Sequence, residues 1–326
     1  MFTRKTPIIK NAPNNIASLE MHIIGGVEQW LLMRGHDHNK PILLWIHGGP
    51  GGAQIGFIRQ YCSDLEKDFL VVNWDQRGAG LSYSKNITAD SMTIDRMVDD
   101  LIEVVHELCI RFHQQKVYLL GHSWGTILSL LAVQRQPELF HGYFAVSQVV
   151  NLLKNERISY EFTLRRAKET GNKKAYSQLE QIGSPPWNKL RYDHIHNKWL
   201  QKFGGGLMYE GNLMNLLFKP LLWSTEYRLL DIIKWMRGQY FSMSILQKES
   251  LKLDFSQNVR EIKVPIAFCC GRHDYTAPSE LAESFYNGLD APSKRWLWFE
   301  KSAHTPMLEE QEEFMKFIRN TVIEWQ

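Results

Sequence analysis

The chain has 326 residues, 44% of them hydrophobic, which is enough to bury one large α/β core with a further lobe. Its formal charge is +3, too mild to require a nucleic-acid partner, and it carries no basic-aromatic RNA-binding module. Its four cysteines, Cys62, Cys109, Cys269 and Cys270, lack the spacing of a disulfide framework, and adjacent Cys269 and Cys270 on one strand point to opposite faces.

The first fifteen residues, with Pro7 and Pro13, read as a loose arm. They hold no apolar leader core, and no run approaches the ~20 apolar residues of a spanning helix. A reduced, cytoplasmic protein without membrane contact is expected, of undetermined oligomeric state. The apolar run Ile42 to Ile46 reads as a buried strand, and His47-Gly48-Gly49-Pro50-Gly51-Gly52 follows it. Such a loop brings backbone N–H groups close to a bound carbonyl, so the Gly49 N–H is one expected oxyanion donor, with Gly48 as its substitute. A second strand, Phe69 to Trp74, leads into Asp75-Gln76-Arg77-Gly78-Ala79-Gly80-Leu81-Ser82, read as a structural turn in which Asp75 and Arg77 brace nearby loops.

Gly121-His122-Ser123-Trp124-Gly125 lies between the strand Val117 to Leu120 and the helix Thr126 to Gln134. Strand, G-x-S-x-G, helix is the context of a nucleophile elbow: glycines permit a sharp turn, and the helix aims free N–H groups at it. Ser123 is the expected nucleophile and the Trp124 N–H the second oxyanion donor. Val264 to Cys270 is a further strand, and Asp274 sits in Gly271-Arg272-His273-Asp274 at its carboxyl end, where open α/β sheets gather their chemistry. After the strand Lys294 to Phe299 comes Lys301-Ser302-Ala303-His304, then a closing helix, Glu309 to Glu324. Asp274 is the expected acid and His304 the base, in the order Ser…Asp…His. Among twelve histidines His304 alone follows a strand at this place; His47 braces the glycine loop, and His122 points away across the elbow. Asp193-His194-Ile195-His196 is incomplete as a metal set, so neither metal nor cofactor is expected.

Asn151 to Arg260 differs in kind. It shows helical periodicity, as in Leu229-Leu230-x-Ile232-Ile233-x-Trp235-Met236, and is broken by Ser184-Pro185-Pro186 and Gly204-Gly205-Gly206. It reads as a helical cap inserted into a core formed by residues 1–150 and 261–326. Its many aromatics read chiefly as core packing, some of them roofing a pocket. It holds 18 Lys and Arg against 10 Asp and Glu, net +8, while the remainder is net −5.

These segments are similar to those of the α/β-hydrolase superfamily, and His-Gly-Gly-Pro-Gly with Asp-Gln-Arg-Gly-x-Gly-x-Ser specifically resembles its proline iminopeptidase (prolyl aminopeptidase) branch. The likeness covers roughly residues 16 to 150 and 260 to 326. It implies a mostly parallel sheet flanked by helices, with an inserted helical cap. It also implies cofactor-free hydrolysis of a peptide or amide bond after a small N-terminal residue, often proline. The branch grips the substrate amine with cap carboxylates, usually on Trp-x-x-Trp-Glu, a motif missing here. The remaining anchors are Glu156, Glu161, Glu210 and Glu226. A carboxylic-ester or lactone hydrolase on the same three residues is the alternative, and a non-catalytic binding protein a more distant one. The expected partner is a small molecule or short peptide.

Overall fold

The computed structural model describes residues 4–187, 189–212 and 214–326. The chain opens with an antiparallel hairpin, β1 (Ile16–Ile24) and β2 (Val27–Gly35), which pairs antiparallel with β4 (Leu70–Asp75). From β4 onward every pairing is parallel, through β3 (Ile42–Ile46), β5 (Val117–His122), β6 (Phe140–Val146), β7 (Ile266–Gly271) and β8 (Lys294–Phe299). The sheet order is β1-β2-β4-β3-β5-β6-β7-β8. β3, β4, β5 and β7 are buried at every residue, as continuous apolar runs must be when helices cover both faces of a parallel sheet.

Two apolar clusters lie on the two faces. Cys270 belongs to one and Cys269 to the other, as the period of a strand requires. α1 (Ile94–Arg111), α2 (Trp124–Arg135), α7 (Ser279–Gly288) and α8 (Gln311–Trp325) are the flanking helices, numbered with those of the insertion below in chain order. The closing helix is interrupted: a single turn, Pro306–Glu309, precedes α8, because Glu310 leaves helical geometry and its carboxylate accepts the Lys301 N–H and the Ser302 hydroxyl.

Between β6 and β7 the chain is helical: α3 (Leu152–Glu169), α4 (Lys173–Ile182), α5 (Leu190–Lys202) and α6 (Leu229–Ser250). Asparagine side chains start two of them, Asn151 accepting the Lys154 N–H at 2.8 Å and Asn172 the Ala175 N–H at 3.0 Å. A third cluster, centred on Tyr160, Leu179 and Trp199, packs α3, α4 and α5 together.

Among the described residues the amino-terminal arm carries no helix or strand before β1, but its start, Arg4 to Pro7, is bonded to the body. Arg4 forks onto Asp231 at 2.9 and 2.6 Å, and the Lys5 N–H donates to the Thr225 carbonyl. Arg34 donates to Thr6 Oγ1 and to the Pro7 carbonyl. Composition marked this stretch as a loose arm; pairing with residues distant in the chain, Asp231 and Arg34, holds Arg4 to Pro7. Among the described residues no helix is long and apolar enough to cross a membrane.

Candidate active site

β3, β5, β6, β7 and β8 end side by side, so their following loops converge at one edge of the sheet. β5 ends at His122 and α2 starts at Trp124, leaving Ser123 alone to reverse the chain. Ser123 takes φ 53° and ψ −122°, a strained conformation for a residue with a Cβ, and its N–H donates to the Val146 carbonyl at 2.9 Å. Gly125 makes this turn possible by contact: a Cβ there would lie 2.2 Å from the Ile46 carbonyl oxygen.

His304 meets both expected partners. Its Nδ1 lies 2.9 Å from Asp274 Oδ2 and its Nε2 lies 2.7 Å from Ser123 Oγ. Facing a carboxylate, Nδ1 carries the proton, which leaves Nε2 to accept from the serine hydroxyl. Asp274 and His304 are each 2% exposed. The other oxygen of Asp274 accepts the N–H groups of Thr276 and Ala277, each at 2.9 Å, so the carboxylate is fixed before any substrate arrives.

Two further histidines hold the frame rather than a proton. The His122 Nε2–H donates to the His304 carbonyl at 2.9 Å while its Nδ1 accepts from Gln54 at 3.2 Å. The His47 Nδ1–H donates to the Gly48 carbonyl at 2.7 Å, and its Nε2 accepts the Gln76 N–H. Burial pushes His122 down to about 3 and His47 to about 4, so both are neutral and keep these tautomers at neutral pH. The glycine loop thereby rests on the elbow: a Cβ on Gly48 would sit 3.1 Å from that of Ser123. Arg77, in the turn after β4, forks onto buried Asp100 and reaches the Gly25 carbonyl.

The insertion touches both loops that carry Asp274 and His304. Gly205 accepts from the Tyr275 N–H at 3.0 Å, Leu207 from the Thr305 hydroxyl at 2.7 Å, and the Tyr209 ring stacks on His273 at 3.5 Å. Glu309 ties these strands of chain together, accepting the Tyr209 N–H at 2.8 Å and the Ala303 N–H at 2.9 Å. No sequence signal pointed to Glu309, because its role lies in backbone groups.

The four insertion glutamates separate by environment. Glu161 and Glu210 are exposed. Glu226 is 1% exposed and bonded to Arg59 at 2.7 Å and to the hydroxyls of Thr6, Ser224 and Thr225. Glu156, on α3, is half-buried beside Gln247 of α6 at 3.4 Å, and burial pushes it up to about 7. Asp193 of α5 shares that glutamine and is raised by burial as well. Among the described residues neither carboxylate has a salt-bridge partner. Next to Glu156, Asn155 is 1% exposed with both amide atoms lacking a hydrogen-bond partner. Neither the unpartnered amide of Asn155 nor the closeness of Asp193 to Glu156 could be read from the sequence. His196 of the incomplete metal set meets Ser159 and Thr163, and among the described residues no cluster suits a metal ion.

A family model described as serine aminopeptidase, S33, matches residues 37–195. The chain is 39% identical over 297 residues to the "Probable aminopeptidase YbaC" of Bacillus subtilis (strain 168), covering 91% of this chain and 93% of that protein. It is 26% identical over 291 residues to the proline iminopeptidase of Heyndrickxia coagulans, covering 85% and 88% respectively. The crystal structure of proline iminopeptidase from Mycobacterium smegmatis superposes with a TM-score of 0.70 at 18% identity, over 94% of this chain and 98% of that one, a likeness of fold.

Proposed function

Since the chain belongs to the α/β-hydrolase superfamily, in its proline iminopeptidase-like branch of serine hydrolases, we propose that it is an aminopeptidase releasing a small N-terminal residue from a short peptide or amide through an acyl-enzyme on Ser123. The observation that carries the acyl-enzyme chemistry is the contact of His304 with both Asp274 and Ser123, at 2.9 and 2.7 Å, and the 39% identity to a probable aminopeptidase favours an amine-bearing substrate over an ester.

In this mechanism His304 Nε2 takes the hydroxyl proton as Ser123 Oγ attacks the scissile carbonyl carbon. Asp274, acting through the Nδ1–H, holds the ring in the required tautomer and stabilises the imidazolium. The N–H groups of Gly49 and Trp124 take the developing oxyanion, each contributing about 3 kcal/mol to the transition state. His304 then gives its proton to the leaving amine, and the C–N bond breaks. A water, deprotonated by the same nitrogen, hydrolyses the acyl-enzyme and returns the proton to Ser123.

Residues 151–260 act as the cap over residues 1–150 and 261–326, and Glu156 is the anchor for the substrate's ammonium group. Three features support Glu156 over its rivals: it is desolvated, it has no cation of its own, and Asp193 stands close enough to share the load. An arriving ammonium offsets the cost of a carboxylate buried without a countercharge.

The test is turnover of free-amine against N-acetylated aminoacyl anilides and simple esters. A strong preference for the free amine is expected. Equal turnover of blocked and free substrates, with faster ester cleavage, would instead assign the chain to the esterases of this fold.

A further inference from the structure

The Gly204-Gly205-Gly206 tract that follows α5 lies against the two loops that carry Asp274 and His304. Gly204 takes φ 78°, which turns the chain out of the helix. The next two glycines let it pass at close range. A Cβ on Gly205 would lie 2.6 Å from the Phe162 ring and 3.1 Å from the Tyr275 Cβ, and one on Gly206 would lie 2.8 Å from the Gln201 Cα. Gln201, in the last turn of α5, fixes the path beyond. Its Oε1 accepts the Leu207 N–H at 2.8 Å and its Nε2 donates to the Met208 carbonyl at 3.1 Å. Residues 204–209 thus form a flat strap fastened to the insertion.

Three consecutive carbonyls of this strap each receive one hydrogen bond from the acid and base loops. Gly205 accepts the N–H of Tyr275, next to Asp274, at 3.0 Å. Gly206 accepts the N–H of His304 itself at 3.4 Å, and Leu207 accepts the Thr305 hydroxyl at 2.7 Å. The middle bond is long, so the outer two hold the register. Rings of the insertion bracket the acid as well: Phe162 stacks on Tyr275 at 3.6 Å and Tyr209 on His273 at 3.5 Å.

One carboxylate closes the strap. Glu309 Oε1 accepts the Tyr209 N–H and Oε2 accepts the N–H of Ala303, the residue before His304. Both oxygens are used. Glutamine cannot do the same, because an amide has one acceptor oxygen and would turn its NH₂ toward the other N–H. Ser123 is set by the core, between β5 and α2, whereas Asp274 and His304 rest on a segment of the insertion.

We infer that residues 204–209 are an alignment strap for the acid and the base, and that Glu309 is a positioning residue that clasps it and acts on the reaction through His304. The inference rests on the roles proposed above for Ser123, Asp274 and His304. It gives the insertion two separate tasks. Glu156 concerns only substrates that carry an amine, whereas the strap concerns every acyl transfer at Ser123, since each moves the same proton through His304.

The experiment measures kcat and KM of the full-length wild type, Glu309→Gln and Ser123→Ala on a free-amine aminoacyl anilide and on a small acetate ester. It is run at pH ~8.5, above the value of about 7 to which burial pushes the Glu309 carboxyl. Glu309→Gln is expected to lower kcat roughly 100-fold on both substrates, the scale of a ~1 Å misplacement, with KM changed far less. The downfield proton resonance of the His304 Nδ1–H, which reports its bond to Asp274, is expected to move in the same variant. A folded Glu309→Gln that keeps the wild-type kcat overturns the inference. So does a loss of kcat with that resonance unmoved, which a purely structural role would give, and so does a loss confined to the anilide. Should Glu309→Gln not fold, Thr305→Val decides, because it removes only the hydroxyl that donates to Leu207. A kcat lower by roughly fivefold on both substrates is expected, the share of one neutral hydrogen bond, and an unchanged kcat overturns the inference. Turnover that survives in Ser123→Ala removes the reading of the site itself, whereas an unchanged Glu309→Gln beside an inactive Ser123→Ala removes only the strap.

Discussion

Arg59 Nε and Glu226 Oε1 form an ion pair of 2.7 Å that joins the core to the residues just before α6, with the Glu226 side chain 1% exposed. This contact decides what Glu226 is for. A carboxylate already neutralised by a guanidinium and by three hydroxyls has little left to offer a substrate amine, so Glu226 is a fastening between the core and the insertion.

Arg59→Ala leaves that carboxylate buried without its countercharge, and breaking a buried pair from one side costs about 3–5 kcal/mol. The hydroxyls of Thr6, Ser224 and Thr225 remain, so the lower end of that range is expected. Arg59→Ala/Glu226→Gln should recover much of the loss, because it removes the stranded charge. Chemical denaturation of the two variants checks this, and a double variant no more stable than the single one would contradict it.

Ser123→Ala, Asp274→Asn and His304→Ala are each expected to lower kcat by roughly 10⁴-fold or more, and combining them to add little, since members of such a unit act together. A fluorophosphonate probe should label Ser123 in the wild type and leave Ser123→Ala unlabelled by mass spectrometry. An adduct on another serine would move the nucleophile.

Glu156→Gln keeps the hydrogen bond with Gln247 available while removing the charge. A charge-assisted hydrogen bond to an ammonium is worth about 1.5–3 kcal/mol, so kcat/KM on free-amine substrates should fall roughly 10- to 150-fold. Activity on simple esters should change little, because they carry no charge to hold. An equal loss on both substrate types would show that Glu156 supports the fold and does not bind the amine.

Asp75 gives a stability prediction with a definite sign. Burial pushes its carboxyl up to about 7, although the Tyr227 hydroxyl and the Leu81 N–H both donate to it. The unfolded chain releases this proton near pH ~4, so between there and about 7 the folded state binds the extra proton. The contribution of Asp75 is therefore complete below pH ~4 and is lost as the pH rises through 7. His47 and His122, held low by burial, act in the opposite sense but equally in wild type and variant. Measured from pH 5 to 8, the Tm of the wild type should fall relative to that of Asp75→Asn. Parallel curves would mean that Asp75 titrates at its ordinary value.

The sequence alone determined whatever rests on short-range order. Ser123 was legible because an elbow is one strand, one turn and one helix, contiguous in the chain. Asp274 and His304 were legible because each follows a strand, and parallel strands deliver their carboxyl ends to one edge. The alternation of Cys269 and Cys270 between the two faces follows from the strand period alone. Tertiary structure decided everything that depends on which distant group fills a space. The arm reads as loose by composition, yet Arg4 finds Asp231 and Arg34 finds Thr6. Four insertion glutamates look alike in one dimension, and only the fold sets Glu226 against Arg59, 167 residues away, while leaving Glu156 half-buried without a cation. Helical periodicity foretold an apolar face on Leu229 to Met236 but not where it would point. The pattern belongs to the helix itself, whereas burial belongs to the neighbour, and the glycine loop takes the opposite side of α6.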